Sequence, residues 1–355
     1  MGARVIKIER PGVGDFARAY DTRVNGMASH FVWVNRSKES LALDLKNPSH
    51  LKALKKILST ADVMIQNLAP GATSRLGLGH DDLIKLNPSI ISCDISGYGS
   101  SGPYQKKKAY DLLVQSEVGL LSVNGTEEEP AKVGVSIADI AAGMYAYTNI
   151  LTALFERPKT GKGKHIDISM LESIAEWVGF PMYYAYGGQS GPARAGAAHA
   201  TIYPYGPFEA GGNESVMLGI QNEREWLILC RDVLENETLA TDDRFSTTSL
   251  RSKNRVELSS IICDKFKQFS AAQVIEKLDK ARIANAKVND MDGLWNHDQL
   301  QARDRWVQVD TEAGPIPALL PPGTKDSKHA RMDQVPTVGQ HTQDILHEFD
   351  ITLED

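Results

Sequence analysis

One carboxylate stands at the start of a long apolar segment, where a covalent reaction could use it. Asp139 lies in VGVSIADIAAGMYAY, three residues after Ser136. This spacing is typical of a helix N-cap, so the pattern by itself favours a capping role. A carboxylate in the first helical turn is also stabilised by the helix dipole, and such a group can act as a covalent nucleophile. Asp167, in a predicted strand, and Glu172, in an early helical turn, are rival carboxylates for which a structural role is favoured.

A glycine cluster precedes this segment, in ISCDISGYGSSGPY (residues 91–104). Its glycines, of which Gly97 is the first, have the G-x-G-x-x-G spacing of a dinucleotide-binding turn, which requires a helix to begin at the third glycine. Pro103 and a polar run follow instead. The sequence therefore predicts a strand-to-loop glycine cluster and no nicotinamide site. The lysines at 106–108 and Tyr110 come next; such a triplet is usually a solvated loop and otherwise an anion site.

The composition excludes several classes of protein. The chain has 355 residues, of which 42% are hydrophobic and 24% charged, and a net charge of −6, which argues against a nucleic-acid-binding protein. Three widely spaced cysteines favour buried thiols in a reducing compartment over a disulfide framework or a metal site. No run suits a membrane span or a secretory signal. We therefore expect a cytoplasmic protein, or a mitochondrial one if a longer N-terminus exists.

The order of apolar runs predicts an α/β protein with two domains. Residues 1 to about 170 alternate strands with helices, which is typical of a parallel sheet. We predict a large α/β domain over 1–200, completed by 301–355, and a small α+β domain over 201–300. Predicted strands are 3–9, 61–67, 89–96, 165–170 and 215–221, and predicted helices are 49–61, 80–88, 139–164, 171–185, 222–234, 254–269, 270–283 and 337–349, with a capping box at Ser270 and Gln273.

Taken together, several stretches resemble the family III CoA-transferases, which include formyl-CoA transferase and are related to α-methylacyl-CoA racemase. The resemblance spans almost the whole chain in order. The matching stretches are GARVIKIERPGVGDFAR, VNRSKESLALDLKNP, ADVMIQNLAPGATSRLGLG, ISCDISGYGSSGPY, AYDLLVQSEVGL, GKGKHIDISMLES, ATIYPYGPF, LQARDRWVQV and PTVGQHTQDIL.

The resemblance implies roles for residues that the pattern alone leaves open. It implies that Asp139 is the catalytic aspartate and that the loop beginning at Gly97 lies near bound CoA. The remaining residues it implies in CoA binding are Arg10, Asn67, Leu68, Ala72, Arg75, Lys108 and Tyr110. Coenzyme A would act as substrate and carrier, with no metal and no NAD.

The resemblance also implies an architecture and an assembly. We expect a Rossmann-like parallel-sheet domain with a smaller α+β domain, in an interlocked homodimer of the family type. Family members begin with a strand and a helix before the position of Gly2. Two alternatives follow from this: either the natural chain is longer, or this form lacks a loop that borders the active site.

The implied reaction is double displacement, in which Asp139 passes through an acyl anhydride and a CoA thioester. The branch most similar to this chain moves CoA from succinyl-CoA to small diacids such as itaconate, mesaconate, citramalate or a glutarate. A diacid keeps one free carboxylate, which requires a cationic or hydrogen-bonding partner. Arg194 and His199, in the glycine-rich loop GPARAGAAHATIYPYG, are available donors, and the equally weighted alternative is that both are solvated.

Two other functions compete with the transferase. An acyl-CoA racemase on the same fold needs two opposed acid/base groups, typically His and Asp. The position of the racemase histidine is occupied by Tyr110, and a tyrosine hydroxyl accepts a proton poorly at neutral pH. The second alternative is a CoA-binding protein without catalysis, suggested by the short N-terminus.

Overall fold

The computed structural model describes residues 2–354. In chain order, its strands are β1 Val5–Glu9, β2 Lys38–Ala42, β3 Val63–Gln66, β4 Ile91–Ser96, β5 His165–Ser169, β6 Tyr205–Glu209, β7 Ser215–Gly219, β8 Ala284–Lys287, β9 Trp306–Val309 and β10 Ile316–Leu319. Its α-helices are α1 Ser29–Asn35, α2 Pro48–Leu58, α3 Ala72–Arg75, α4 His80–Leu86, α5 Asp111–Glu117, α6 Leu120–Val123, α7 Ile137–Thr160, α8 Met170–Trp177, α9 Gly179–Tyr184, α10 Glu223–Ile228, α11 Thr248–Lys253, α12 Arg255–Phe266, α13 Ala271–Lys280, α14 Met291–Trp295, α15 Asp298–Ala302 and α16 Thr342–Glu348.

The chain folds into two compact units. The first comprises Met1–Asp94, Tyr147–Asp167 and Asp292–Asp355, and the second comprises Ile95–Ala146 and Ile168–Met291. The first unit therefore draws on three separate parts of the chain. The domain boundaries proposed from the sequence, near residues 200 and 300, stay a prediction.

Parallel strands form the framework of the first unit. β1 pairs with β2 in parallel, with Val5 opposite Lys38, and β3 pairs with β4 in parallel, with Val63 opposite Ile91. β5 lies on the other side of β4. The predicted parallel α/β architecture is confirmed, although the apolar pattern does not predict β2.

The core of the first unit packs helices against these strands. α2 begins after Asn47, whose side chain accepts a hydrogen bond from the Ser49 amide at 2.8 Å, and Pro48 occupies its first position. Its apolar residues recur at helical spacing and are buried on one face. The buried cluster around it contains Leu41, Leu43, Leu54, Ile57, Leu58, Leu78, Leu83, Ile90 and Ile345.

An antiparallel sheet forms part of the second unit. β7 lies between β6 and β8 and is antiparallel to both. The predicted capping box at Ser270 and Gln273 is present at the start of α13. The buried cluster includes Phe208, Val216, Leu218, Trp226, Phe245, Leu258, Ile262, Phe266, Val274 and Leu278. β6 to β8 and α10 to α13 lie within residues 201–300, the range for which a small α+β domain is predicted.

The prediction of one continuous helix over residues 171–185 is wrong. The structure has two helices there, α8 and α9, with Val178 in a non-helical conformation between them. Gly179 follows at once, and Pro181 has no N–H to donate to the carbonyl of Trp177. The break therefore has a local cause in the sequence.

The long helix α7 runs for 24 residues, over nearly the range predicted. Ala138, Ala142 and Ala146 follow one another at four-residue intervals and are almost completely buried. Residues four apart lie on the same helical face, and small side chains let other segments approach it closely. The first turn of α7 is therefore held by a packed face, which fixes the direction of the neighbouring side chains.

Candidate active site

Asp139 lies in the first turn of α7, one position after the fully buried Ala138. Its own side chain reaches solvent. A carboxylate next to a buried residue, in the first turn of a long helix, has a defined position and remains open to a reactant.

Asp111, the first residue of α5, secures the start of α7. The Ala138 amide donates a hydrogen bond to Asp111 Oδ1 at 2.9 Å. This amide is one of the first-turn N–H groups that have no partner within their own helix, so Asp111 caps α7 from a distant segment. The sequence pattern predicts capping by Ser136 and does not predict the role of Asp111. The available sequence signal for Asp111 is that an acidic residue stands at the start of an apolar helix.

Gln115 extends this contact into a chain of hydrogen bonds. Gln115 Nε2 donates to Asp111 Oδ2 at 2.7 Å, and Gln115 Oε1 accepts from the Val133 amide at 3.0 Å. The Gln115 side chain is fully buried. Both oxygens of Asp111 therefore have partners, and the group is tied to the segment that leads into α7.

The environment of Asp139 raises the pKa of its carboxyl group above the ordinary aspartate value. The main cause is desolvation by the surrounding protein, and the second is the negative charge of Asp111. Both effects disfavour the ionised form. A carboxylate that is costly to ionise is the more basic and therefore the better nucleophile once it has ionised.

The glycine-rich loop starts at the end of β4, and its first glycine, Gly97, packs against Ala109 near its other end. A Cβ on Gly97 would overlap the Ala109 Cβ, so only glycine fits at this contact. The Lys107 ammonium lies 4.2 Å from the centre of the Tyr104 ring and pairs with Glu117. The first helix after the loop begins at Asp111, so no helix starts at the third glycine.

Lys108 and Tyr110, which follow this loop, are both exposed. Lys107, the middle lysine of the triplet, forms an ion pair with Glu117, whereas Lys108 is exposed to solvent. Tyr110 is 73% exposed and directly precedes α5. Gly97, Lys108, Tyr110 and Asp139 are thus all within the second unit, and their proposed roles stay predictions.

The rival carboxylates differ in their surroundings. The Ser169 hydroxyl donates to Glu172 Oε2 at 2.7 Å and accepts from the Glu172 amide at 3.1 Å. Glu172 is therefore engaged in a capping interaction at the start of α8, which is the structural role that the sequence favours for it. Asp167 lies in β5.

Arg194 lies in an irregular segment of the second unit. Its guanidinium group donates to the carbonyls of Thr126 and Glu127, both at 2.7 Å. Arg194 thus fastens its loop to the backbone of another segment.

His199, in the same irregular segment, has a defined tautomer. Its Nδ1 accepts hydrogen bonds from the amides of Thr201, at 3.2 Å, and Ile202, at 3.0 Å, and its ring stacks on Tyr205 with centroids 5.4 Å apart. An Nδ1 that accepts from amides carries no proton, so Nε2 carries it and is a donor. His199 therefore offers a positioned N–H group.

The first unit holds the other predicted CoA-binding residues. Arg10 directly follows β1, and its guanidinium carbon lies 5.6 Å from the centre of the Phe16 ring. A second set follows the carboxyl end of β3, in a loop and the short helix α3. Ligands of parallel α/β sheets commonly bind beyond the carboxyl ends of strands, and these residues lie in such a place. The residues after β3 are Asn67, Leu68, Ala72 and Arg75.

Two kinds of feature are absent from residues 2–354. No group of three or more histidine, cysteine, aspartate or glutamate side chains is arranged to hold a metal ion. In the same residues, no helix combines the length and apolar character needed to cross a bilayer.

Comparison with known proteins identifies the family. The model of CoA-transferase family III matches residues 1–342. The chain is 31% identical over 353 residues to human succinyl-CoA:glutarate CoA-transferase, covering 98% of this chain and 80% of that protein. It is 31% identical over 365 residues to the succinate–glutarate CoA-transferase of Agrobacterium fabrum, covering 100% and 90%.

A solved structure agrees with these relatives. The crystal structure of a CAIB/BAIF family protein from Brucella suis superimposes with a TM-score of 0.85 at 30% identity, covering 98% of this chain and 92% of that chain. The fold class and the transferase assignment predicted from the sequence are thereby confirmed. The chain belongs to CoA-transferase family III.

Proposed function

We propose that this transferase moves CoA from succinyl-CoA to a small dicarboxylic acid of four or five carbons, with Asp139 as the covalent carrier. The observation that carries the proposal is the accessible Asp139 carboxylate, fixed in the first turn of α7 and destabilised in its ionised form. The names of the human and Agrobacterium relatives, which pair succinate or succinyl-CoA with glutarate, support a diacid acceptor. Itaconate, mesaconate and glutarate are the acceptors to test.

The proposed reaction balances without any external reagent. An Asp139 oxygen bonds to the thioester carbon, the C–S bond breaks, and CoA leaves as thiolate. The thiolate attacks the aspartyl carbon of the resulting anhydride, which releases the donor acid as a carboxylate and leaves an aspartyl-CoA thioester. The acceptor carboxylate then displaces CoA thiolate, which attacks the acceptor's acyl carbon and restores the Asp139 carboxylate. No net proton transfer is required.

Backbone and basic groups would stabilise the charges in these steps. Backbone N–H groups of the glycine-rich loop that begins at Gly97 are proposed to bind the oxyanion, which is commonly a large contribution to catalysis. Lys108 and Tyr110 are proposed to contact CoA from the end of that loop. In the first unit, the guanidinium groups of Arg10 and Arg75 suit phosphate oxygens, and both residues are exposed. Asn67, Leu68 and Ala72 are proposed to contact CoA beside Arg75.

Between the two candidates for the distal carboxylate, the contacts favour His199. Arg194 already uses its Nε and one terminal nitrogen on backbone carbonyls. His199 presents its Nε2–H, because Nδ1 accepts from two amides. The proposal is that this N–H group binds the carboxylate of the diacid that does not react.

Kinetics of His199→Ala and Arg194→Ala test this choice, with glutarate compared against butyrate. We expect His199→Ala to raise KM for glutarate by roughly tenfold, the loss of one charge-assisted hydrogen bond, and to leave KM for butyrate unchanged. Arg194→Ala, as the matched control in the same loop, should affect both acids alike, because it only fastens the loop. If neither variant discriminates against the diacid, specificity lies elsewhere.

One assay separates transfer from the competing functions. The enzyme is incubated with succinyl-CoA and labelled glutarate, and labelled glutaryl-CoA is measured. A transferase makes it, a racemase changes only the stereochemistry of an α-branched acyl-CoA, and a CoA-binding protein without catalysis does neither. Asp139→Ala should abolish label transfer and leave the free energy of unfolding unchanged or slightly higher, because it removes a carboxylate that desolvation and Asp111 destabilise.

We also propose that the active assembly is the interlocked homodimer implied by the family resemblance. α9 supports this assembly, because none of its residues is buried. Its apolar side chains Phe180, Met182 and Tyr183 are each more than half exposed. Exposed apolar side chains in such a cluster are typical of an interaction surface. The proposed occupant is a second copy of the chain.

A further inference from the structure

We propose that Asp111 is a positioning residue for the transfer reaction, which orients Asp139 through the start of α7 and whose charge favours the acylated over the free form of Asp139. The inference rests on the proposed role of Asp139 as nucleophile. It adds a residue that forms no covalent bond in the proposed reaction.

The geometry explains the orienting part. Asp111 Oδ1 accepts from the Ala138 amide at 2.9 Å, directly before Asp139. Asp111 Oδ2 is held by Gln115, which is itself buried and bound to the Val133 amide. The first turn of α7 therefore has its position set by a side chain from 27 residues earlier in the chain. Small displacements of a nucleophile cost large factors in rate, so this hold matters for catalysis.

Electrostatics explains the second part. The negative charge of Asp111 disfavours the ionised form of Asp139. With Asp139 ionised, the two negative charges repel each other in partly desolvated surroundings. Forming the anhydride or the thioester removes the charge of Asp139, and with it the repulsion. Asp111 thus favours every covalent intermediate relative to the free carboxylate.

The neighbouring charges are consistent with this role of Asp111. Within the described residues, Asp111 is the charged group that acts on the Asp139 carboxyl, and it acts in the same direction as desolvation. The Lys132 ammonium on the preceding segment donates to the carbonyls of Val133 and Gly134. The repulsion is therefore assigned to one side chain, which a substitution can remove.

The hydrogen bonds of Asp111 would be the same if it were only a structural cap. The test must therefore keep these hydrogen bonds and move the negative charge. The double variant combines Asp111→Asn with Gln115→Glu. The new amide oxygen at position 111 can accept from the Ala138 amide, and the new amide nitrogen there can donate to the carboxylate introduced at position 115. That carboxylate can still accept from the Val133 amide. All three hydrogen bonds can survive, while the negative charge moves from position 111 to position 115.

The experiment measures the half-reaction with succinyl-CoA alone, as covalently bound CoA per chain and as the pH profile of its formation. We expect Asp111→Asn and the double variant to accumulate about tenfold less covalent CoA, in line with coupling between adjacent groups. Both should form it down to lower pH than the unmodified enzyme. The double variant should have a higher thermal midpoint than Asp111→Asn, because the three hydrogen bonds can form, but a lower one than the unmodified enzyme, because it places a carboxylate at the fully buried position 115.

A double variant with the unmodified pH profile and unmodified covalent CoA would overturn the role of the charge. If the double variant does not fold, Asp111→Asn decides on the same two readouts, with near-ultraviolet circular dichroism as the check on folding. Asp139→Ala, measured alongside, separates the two proposals. Transfer that persists in Asp139→Ala refutes the nucleophile, whereas an inactive Asp139→Ala with unaltered Asp111 variants refutes only the inference about Asp111.

Discussion

At the scale of single residues, reactivity depends on what surrounds a carboxylate. The Glu172 carboxylate accepts a hydrogen bond from the Ser169 hydroxyl, and both carboxylate oxygens of Asp111 accept hydrogen bonds. Asp139 is accessible, and its surroundings make ionisation costly. A nucleophile needs both accessibility and basicity, and this combination distinguishes Asp139 from the other two acidic residues.

The pH dependence of the enzyme should reveal this environment. Because the ionised carboxylate attacks, activity should rise with pH as Asp139 loses its proton. Desolvation and Asp111 raise the pKa of Asp139 above the ordinary value of 3.8, so the acidic limb of kcat/KM should lie above that value. The measurement is kcat/KM for succinyl-CoA across the acidic range, with unfolding followed in parallel. A limb at or below the ordinary aspartate pKa would contradict the proposed environment.

At the scale of secondary-structure elements, close contacts between backbones place constraints on individual residues. The segment after α7 contains Gly163, whose amide donates to the Pro88 carbonyl at 2.9 Å. A Cβ on Gly163 would overlap the Ile90 carbonyl group. The run KTGKGK, which by itself resembles a solvated helix end, therefore includes a residue fixed by packing.

Gly163→Ala should destabilise the chain markedly, because backbone atoms would have to move. Overpacking of this kind costs about 1–3 kcal/mol, occasionally more. Gly134→Ala is a suitable control, since an added Cβ there meets no atom within 4 Å, and it should change the free energy of unfolding by less than about 0.5 kcal/mol. Urea denaturation measures both. Equal stability of the two variants would show that the contact at Gly163 is not as close as described.

Elements can be predicted from the sequence better than the contacts between them. The periodic apolar residues of α7 and the strand-forming run at β4 predict those elements within a few residues. β2 escapes prediction because its sequence, KESLA, begins with two charged residues and contains one large apolar side chain, Leu41. The bond between Asp111 and the Ala138 amide joins residues 27 apart, and no periodicity connects them. The roles of Asp139 and of the CoA-binding residues rest on family resemblance, since the pattern alone favours a cap.

At the scale of the whole molecule, exposed apolar surface indicates a partner. Phe180 is 58% exposed, Met182 57% and Tyr183 73%, all within the six residues of α9. Burying one large aliphatic or aromatic side chain at an interface stabilises the assembly by about 1.5–3 kcal/mol. A second copy of the chain, as in the proposed interlocked homodimer, would supply that cover.

Light scattering coupled to size-exclusion chromatography should therefore give the mass of two chains, unchanged on dilution. An interlocked pair cannot separate without partial unfolding, so concentration should have little effect. Serum albumin, run in the same buffer, serves as the mass control. A monomer at every concentration would refute the proposed assembly and leave the exposed apolar residues of α9 unexplained.

The central claim is that Asp139 carries CoA during transfer, and trapping the intermediate tests it most directly. The enzyme is incubated with succinyl-CoA, quenched with hydroxylamine during turnover, digested and mapped by mass spectrometry. We expect a hydroxamate on Asp139, absent when succinyl-CoA is omitted and absent in Asp139→Ala, which also fails to transfer CoA. A hydroxamate on Asp111, Asp167 or Glu172, or continued transfer by Asp139→Ala, would contradict the claim.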